Sequence, residues 1–101
     1  MNQKIKKKWV DALRSGKYLQ GTGFLLDEGR YCCLGVLCDV VDTSKWWYGI
    51  YSTYEGHNAA LPPSVMGKAG ISGDVEHMLI SANDEAKYSF KEIADFIEEN
   101  L

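Results

Sequence analysis

Apolar residues recur with helical spacing near the start of the chain. Within residues 3–14 they lie at positions i, i+4, i+7 and i+8 and therefore share one face: Ile5, Trp9, Ala12 and Leu13. Most of the other positions in this segment are polar or charged. Gly16 follows, and glycine suits the left-handed conformation just beyond a last helical turn. The pattern predicts an amphipathic helix over residues 3–14.

The end of the chain carries a second helical pattern with a clear start. Ser89 and Glu92 have the spacing of a capping box, in which each side chain satisfies a backbone N–H at the beginning of a helix. Apolar residues then form a continuous stripe: Phe90, Ile93, Ala94, Ile97 and Leu101. This pattern predicts a C-terminal helix that packs on the core through its apolar face.

Extended structure and a buried element are predicted in the first half of the chain. Residues 24–32 indicate a short hairpin, because extended apolar residues flank the turn sequence of residues 27–29. Residues 33–41, CLGVLCDVV, are apolar on nearly all sides and fit either a buried helix or a buried strand. We expect a helix, in which Gly35 lets another segment of backbone come close.

The second half of the chain predicts shorter elements. Residues 46–54 are rich in aromatic and β-branched types and favour one or two strands. The prolines of residues 62–63 precede a short helix that ends at Gly70. Residues 75–82 fit a short helix or a strand, and residues 83–85 a loop before the C-terminal helix.

These elements together predict an α+β fold with a single compact domain over residues 1–101. We expect the amphipathic N- and C-terminal helices to pack on a small antiparallel sheet, with a short central helix. The hydrophobic share of 46% and the aromatic share of 12% are high enough for such a domain to bury a core.

Charge narrows the classes of partner. The net charge is −3 and only two of the eleven basic residues are arginines, which excludes a strongly cationic protein that coats DNA. Residues 1–45 carry eight basic and five acidic side chains, a net charge of +3. Residues 74–101 carry two basic and eight acidic side chains, a net charge of −6. We expect these oppositely charged ends to attract each other, within one chain or between copies.

No apolar run approaches the roughly 20 residues of a membrane span. The basic start of the chain is not followed by the apolar segment of a signal peptide. We therefore expect a cytoplasmic protein that does not bind membranes.

The cysteines do not indicate a disulfide framework or a metal site. The chain has three cysteines, Cys32, Cys33 and Cys38, and an odd number cannot all pair in disulfides. A zinc site would need a fourth ligand, and His57 and His77 both lie at an unusual ligand spacing. Buried, reduced thiols that act as small apolar residues fit the pattern better. The sequence predicts no metal and no cofactor.

Binding chemistry is better represented than catalytic chemistry. The chain has no nucleophile elbow, phosphate-binding glycine loop or zinc-protease motif. Trp46, Trp47 and Tyr48 could stack on a nucleobase, or pack in the core and at an oligomer interface. Arg30 could grip a phosphate in bidentate fashion, or be an exposed strand charge. The pair Asn83-Asp84 could bond a base edge or ribose hydroxyls, or close a turn on its own backbone.

A longer series of residues resembles a known group of proteins. It runs from Trp9 and the segment 12–16 through the segment CCLGVLCD of residues 32–39 to Asn83-Asp84 and the helix that starts at Ser89. The series resembles a family of small proteins of bacteriophage and prophage genomes. That family is similar to the Thoeris anti-defence sponges, which sequester a cyclic ADP-ribose signal made by a host immune enzyme. The resemblance implies a homo-oligomer that binds its ligand without catalysis.

From the residues and the resemblance together we expect a non-enzymatic phage protein that sequesters a nucleotide-derived immune signal in the cytoplasm of an infected bacterium. The candidate ligand contacts are Arg30, Asn83, Asp84, Trp46, Trp47, Tyr48 and Phe90. Two alternatives stay open. One is a protein–protein inhibitor that uses the acidic face of residues 74–101, and the other is an enzyme that degrades the signal.

Overall fold

A computed structural model describes every residue of the chain, Met1–Leu101. Five α-helices provide most of the regular structure: α1 (Gln3–Arg14), α2 (Cys33–Val41), α3 (Pro63–Ala69), α4 (Gly73–Ile80) and α5 (Phe90–Asn100). A 3₁₀ turn (Thr43–Lys45) follows α2, and a π-helical segment (Ser81–Glu85) continues α4.

Five short strands form two small sheets: β1 (Leu19–Gln20), β2 (Leu26–Asp27), β3 (Arg30–Tyr31), β4 (Trp46–Tyr48) and β5 (Ser52–Tyr54). In the first sheet β3 is central, parallel to β1 and antiparallel to β2. In the second sheet β4 and β5 form a hairpin in which Trp46 lies opposite Tyr54. The predicted α+β class, the hairpin predicted within residues 24–32 and the strands predicted within residues 46–54 are confirmed.

Side-chain caps define the starts of the two terminal helices. The Asn2 side chain accepts a hydrogen bond from the Ile5 backbone N–H at 3.0 Å. At α5 the predicted capping box is present: Ser89 Oγ accepts from the Glu92 N–H at 3.2 Å, and Glu92 Oε1 accepts from the Ser89 N–H at 3.0 Å. These local bonds explain why both helices begin where the sequence pattern begins.

The buried helix α2 is the centre of the fold. Its residues from Cys33 to Cys38 are all buried, which confirms the helix expected for residues 33–41. Trp9 of α1 is itself buried and donates its indole N–H to the Cys33 backbone oxygen at 2.9 Å. Gly35 lies against the backbone of Leu25, the residue before β2, because a Cβ added at this glycine would be only 1.8 Å from the Leu25 backbone oxygen. The expected close approach of another backbone at Gly35 is confirmed.

The terminal helices pack against each other, and α1 also packs against α2. This differs in detail from the expected packing on a sheet, because strands of two or three residues present little apolar surface and the all-apolar α2 presents much more. Arg14 of α1 forms ion pairs with Asp95 at 2.7 Å and with Glu98 at 2.5 Å, both on α5. The oppositely charged ends of the chain therefore meet within one chain.

The segment after α4 corrects the sequence prediction. Residues 75–80 are helical as one alternative proposed, but residues 83–85 are part of the π-helical segment and not a loop. Its wider turn is marked by the Ala86 N–H, which bonds the Ser81 backbone oxygen at 3.0 Å. The π-helical geometry directs the Asn83 side chain into the protein, where it is buried and fully hydrogen-bonded.

Candidate functional site

Asn83 lies at the centre of a buried hydrogen-bond network. Its side chain is 1% exposed. Its Oδ1 accepts from Gln20 Nε2 at 2.9 Å and from the Cys33 backbone N–H at 3.2 Å. Its Nδ2 donates to the Gly21 backbone oxygen at 2.9 Å and to Asp84 Oδ1 at 2.8 Å. The amide thus joins the loop after β1, the start of α2 and the π-helical segment, and uses its donors and acceptor within the chain.

Gln20 extends this network to the start of α5. Its Nε2 also donates to the Tyr88 backbone oxygen at 2.8 Å, and its Oε1 accepts from the Phe90 backbone N–H at 3.1 Å. Gln20 is not among the candidate residues that the sequence indicates. A lone glutamine in a two-residue strand belongs to no recognisable motif, so only the three-dimensional contacts reveal its role.

Gly21 connects the network to Arg30. Its N–H donates to the Tyr31 backbone oxygen at 2.8 Å, which continues the pairing of β1 with β3. A Cβ added at Gly21 would lie 2.8 Å from Cβ of Arg30, closer than two such carbons approach. The absence of a side chain therefore lets the loop after β1 lie directly against Arg30.

A polar depression of about 330 Å³ opens on this side of the sheet. It is lined by Gln20, Gly21, Thr22, Asp27, Glu28 and Arg30. The Arg30 side chain is exposed and forms no ion pair within the chain. This volume is at the lower end of the range of small-molecule sites, which is roughly 300–1,000 Å³.

The depression combines one cation with two carboxylates. A guanidinium presents parallel N–H groups that match two oxygens of a phosphate. Carboxylates accept hydrogen bonds from sugar hydroxyls or from the amino group of a base. Arg30 between Asp27 and Glu28 therefore suits a ligand that has both a phosphate and hydroxyl or amino donors.

The aromatic candidates lie elsewhere. Arg30 and Tyr31 are neighbours on a strand and point to opposite faces of the sheet. Trp46 packs edge-to-face on Tyr31, with ring centres 6.0 Å apart, and its indole N–H donates to Asp39 Oδ1 at 3.0 Å. Trp47 and Tyr48 are 65% and 68% exposed on the β4–β5 hairpin. None of these three rings lines the Arg30 depression.

The structure thus divides the seven candidate residues into two groups. Around Gln20 and Gly21 it brings together the following four: Arg30, Asn83, Asp84 and Phe90. Of these, Asn83 and Phe90 have buried side chains. The other three belong to the aromatic hairpin: Trp46, Trp47 and Tyr48.

The whole chain matches one protein family. The family model, described as a domain of unknown function (DUF8296), covers residues 1–101. The chain belongs to the DUF8296 family. No curated protein and no solved structure matches the chain.

The thiols of this DUF8296 chain are free and buried, as the sequence predicted. Burial raises the pKa of Cys32 to about 11 and raises the pKa of Cys33 and of Cys38 well above the ordinary thiol value of 9.0. The nearby Asp84 carboxylate adds to the increase in pKa at Cys32 and Cys33. At neutral pH these thiols therefore stay protonated, and a protonated thiol is a poor nucleophile and a poor metal ligand.

The DUF8296 chain has neither a metal-ligating cluster nor a helix that could span a membrane. No three side chains among its His, Cys, Asp and Glu residues come together as a possible metal site. None of its helices is both long enough and apolar enough to cross a membrane.

Proposed function

We propose that this protein is a non-enzymatic phage anti-defence protein that binds and sequesters a nucleotide-derived immune signal. The signal would be of the cyclic ADP-ribose type or a cyclic oligonucleotide, bound in the cytoplasm of an infected bacterium. The observation that carries the proposal is Arg30, an arginine without an ion-pair partner in the lining of a polar depression.

Each part of the depression has a role in this proposal. Arg30 binds a phosphate through paired N–H groups. Asp27 and Glu28 accept hydrogen bonds from ribose hydroxyls or from a base amino group. Asn83 lies outside the lining of the depression and is a positioning residue, because its amide bonds the Gly21 backbone oxygen and so holds the loop of Gly21 against Arg30. Gln20 lines the depression and is itself held in place by its bond to Asn83.

Sequestration requires tight binding without turnover. Nanomolar affinity corresponds to about −12 kcal/mol. A preorganised site reaches such affinity more readily, because less conformational freedom is lost on binding. The buried network beneath the Gly21 loop supplies this preorganisation. The protonated, buried cysteines offer no nucleophile to the ligand.

Calorimetry tests the proposal directly. Cyclic ADP-ribose isomers and cyclic oligonucleotides are titrated into the protein at tens of micromolar concentration, and at least one should bind. Arg30→Gln should weaken that binding roughly 10- to 100-fold, because a charge-assisted hydrogen-bond pair is lost. Lys17→Gln is the matched control, since Lys17 is an exposed cation outside the depression. Absence of heat with every compound would contradict the proposal.

A release experiment separates sequestration from degradation. The signal is incubated with the protein, the protein is denatured by heat, and the supernatant is assayed for intact signal. Full recovery is expected. Loss of the signal would instead identify an enzyme that degrades it.

A further inference from the structure

Exposed apolar side chains are concentrated in two parts of the surface. Eight large apolar residues are exposed: Leu19, Phe24, Trp47, Tyr48, Ile50, Tyr51, Met78 and Tyr88. Four of them belong to the β4–β5 hairpin, and two line a groove beside α5. Single exposed apolar residues need no explanation, but such clusters mark interaction surfaces.

The first part is a projecting hairpin of residues 46–54. Ile50 at its turn is 94% exposed, and Tyr51 is 62% exposed. The Trp47 ring folds over the turn, because a Cβ added at Gly49 would lie 1.9 Å from Cζ3 of that ring. The hairpin sequence WWYGIYSTY carries no charge. Its four exposed side chains present on the order of 500 Å² of surface, given that a large side chain contributes about 150–250 Å².

The second part is an apolar groove of about 270 Å³. One wall is formed by α4 and the π-helical segment, and the other by α5 with the residue before its cap. All six lining residues are apolar: Met78, Leu79, Ala82, Tyr88, Ile93 and Phe96. The groove is large enough for one or two apolar side chains.

We propose that the groove of one copy binds the β4–β5 hairpin of a second copy of this chain. One surface is convex and the other is concave, so they can fit together. In this arrangement Ile50 enters the groove and the other exposed side chains of the hairpin cover the surface around it. A standard interface buries about 800 Å² per partner, and these side chains contribute on the order of 500 Å² of that.

Charge favours a contact between hairpin and groove over a contact between the grooves of two copies. The groove is built from residues 78–96, within the segment of net charge −6. Two grooves facing each other would bring these acidic segments together, whereas the uncharged hairpin adds no like charge. The contact is heterologous, so repetition produces a closed ring or an open chain of subunits. The assembly concerns the protein's own surface and does not depend on a ligand at Arg30.

Two variants, each defective on one side, test the assembly. Ile50→Asp changes the hairpin, and Met78→Asp changes the groove. Both residues are exposed, so neither change disturbs the core. Sedimentation velocity should show wild-type protein as an assembly at tens of micromolar, and each variant alone as the 11.3 kDa monomer. Leu19→Asp, at an apolar residue that is 60% exposed outside both surfaces, is the matched control and should stay assembled.

Mixing the two variants gives the decisive result. The intact hairpin of Met78→Asp should bind the intact groove of Ile50→Asp and form a dimer with one copy of each. A monomeric wild-type protein, or a mixture that stays monomeric, would overturn the proposal. Assembly of Met78→Asp by itself would instead indicate a hairpin-to-hairpin contact and would also overturn it. Tyr88→Ser replaces Met78→Asp as the groove variant if circular dichroism shows the latter unfolded.

Discussion

The amide of Asn83 holds together segments that are far apart along the chain. It bonds Gln20, Gly21 and the Cys33 N–H. The first two partners belong to β1 and to the loop after it. The third, Cys33, is the first residue of helix α2. Because this network is buried, each donor or acceptor that loses its partner remains without water.

Asn83→Ala should therefore destabilise the protein strongly. The change removes the acceptor of the Cys33 N–H and one of the two acceptors of Gln20 Nε2. An unsatisfied buried polar group costs about 1–3 kcal/mol, so we expect a loss of about 3 kcal/mol in the free energy of unfolding. Urea denaturation measures it. Asn58→Ala is the control: the Asn58 side chain is exposed, and its loss should change the stability by less than about 0.5 kcal/mol. Equal stability of wild type and Asn83→Ala would show that the network has no structural role.

At the scale of elements, α2 and α3 each contain a glycine with a different environment. Gly35 of α2 is in contact with the backbone of Leu25, the residue before β2, since an added Cβ would be 1.8 Å from the Leu25 oxygen. Gly67 of α3 has no atom within 4 Å of such a Cβ. The two positions therefore separate the effect of packing from the effect of helix propensity.

Alanine at these two glycines should change stability in opposite directions. Gly35→Ala forces α2 away from the backbone of Leu25 and should cost about 3 kcal/mol or more. Gly67→Ala should stabilise the protein by about 0.5–1 kcal/mol, because glycine is the poorer helix former of the two residues. Thermal denaturation of both variants beside wild type checks the prediction. An unchanged stability of Gly35→Ala would mean that α2 can move away from Leu25 without loss.

The contact between α1 and α5 bears on the alternative of an acidic protein-binding face. Arg14 pairs with Asp95 and Glu98, and these bonds hold the pKa of the guanidinium above its ordinary value. Two of the eight carboxylates of residues 74–101 are thus neutralised within the chain. This reduces the negative charge that α5 offers to a basic partner.

At the scale of the whole molecule, the three buried thiols belong to one apolar core of 22 residues. They ionise at higher pH in the folded chain than in the unfolded chain, where the ordinary value is 9.0. Their contribution to stability is therefore complete below about pH 9 and is lost as the pH rises toward the folded pKa, which is about 11 for Cys32.

We expect the free energy of unfolding to fall steeply above pH 9. Each thiol contributes a slope of about 1.4 kcal/mol per pH unit. Cys38→Ala removes one of the three thiols and should make the free energy of unfolding fall less steeply with pH. Urea denaturation between pH 7.5 and pH 10.5 measures this slope. Val36→Ala, in the same buried helix, should lower stability at every pH and leave the slope unchanged. Identical slopes for Cys38→Ala and wild type would show that ionisation of the buried Cys38 thiol does not cause the loss of stability at high pH.

Local patterns were sufficient to predict the two terminal helices. The caps and apolar stripes of α1 and α5 are bonds and contacts between residues three or four positions apart, which the sequence displays directly. The apolar run of residues 33–41 predicted burial. Gly35 predicted a close backbone contact, but the sequence did not indicate which segment makes that contact. The α+β class followed from the same patterns.

The candidate site depended on the tertiary structure. Gln20 and Asn83 are 63 residues apart, and the Asn83 bond to Gly21 spans 62, so no local pattern could pair them. The π-helical segment aims Asn83 inward, where the sequence favoured a loop. The register of β3 sends Arg30 to one face and Tyr31 to the other, which separates the arginine from the aromatic hairpin. Such placements arise from strand register and long-range packing, and these are set only when distant segments meet.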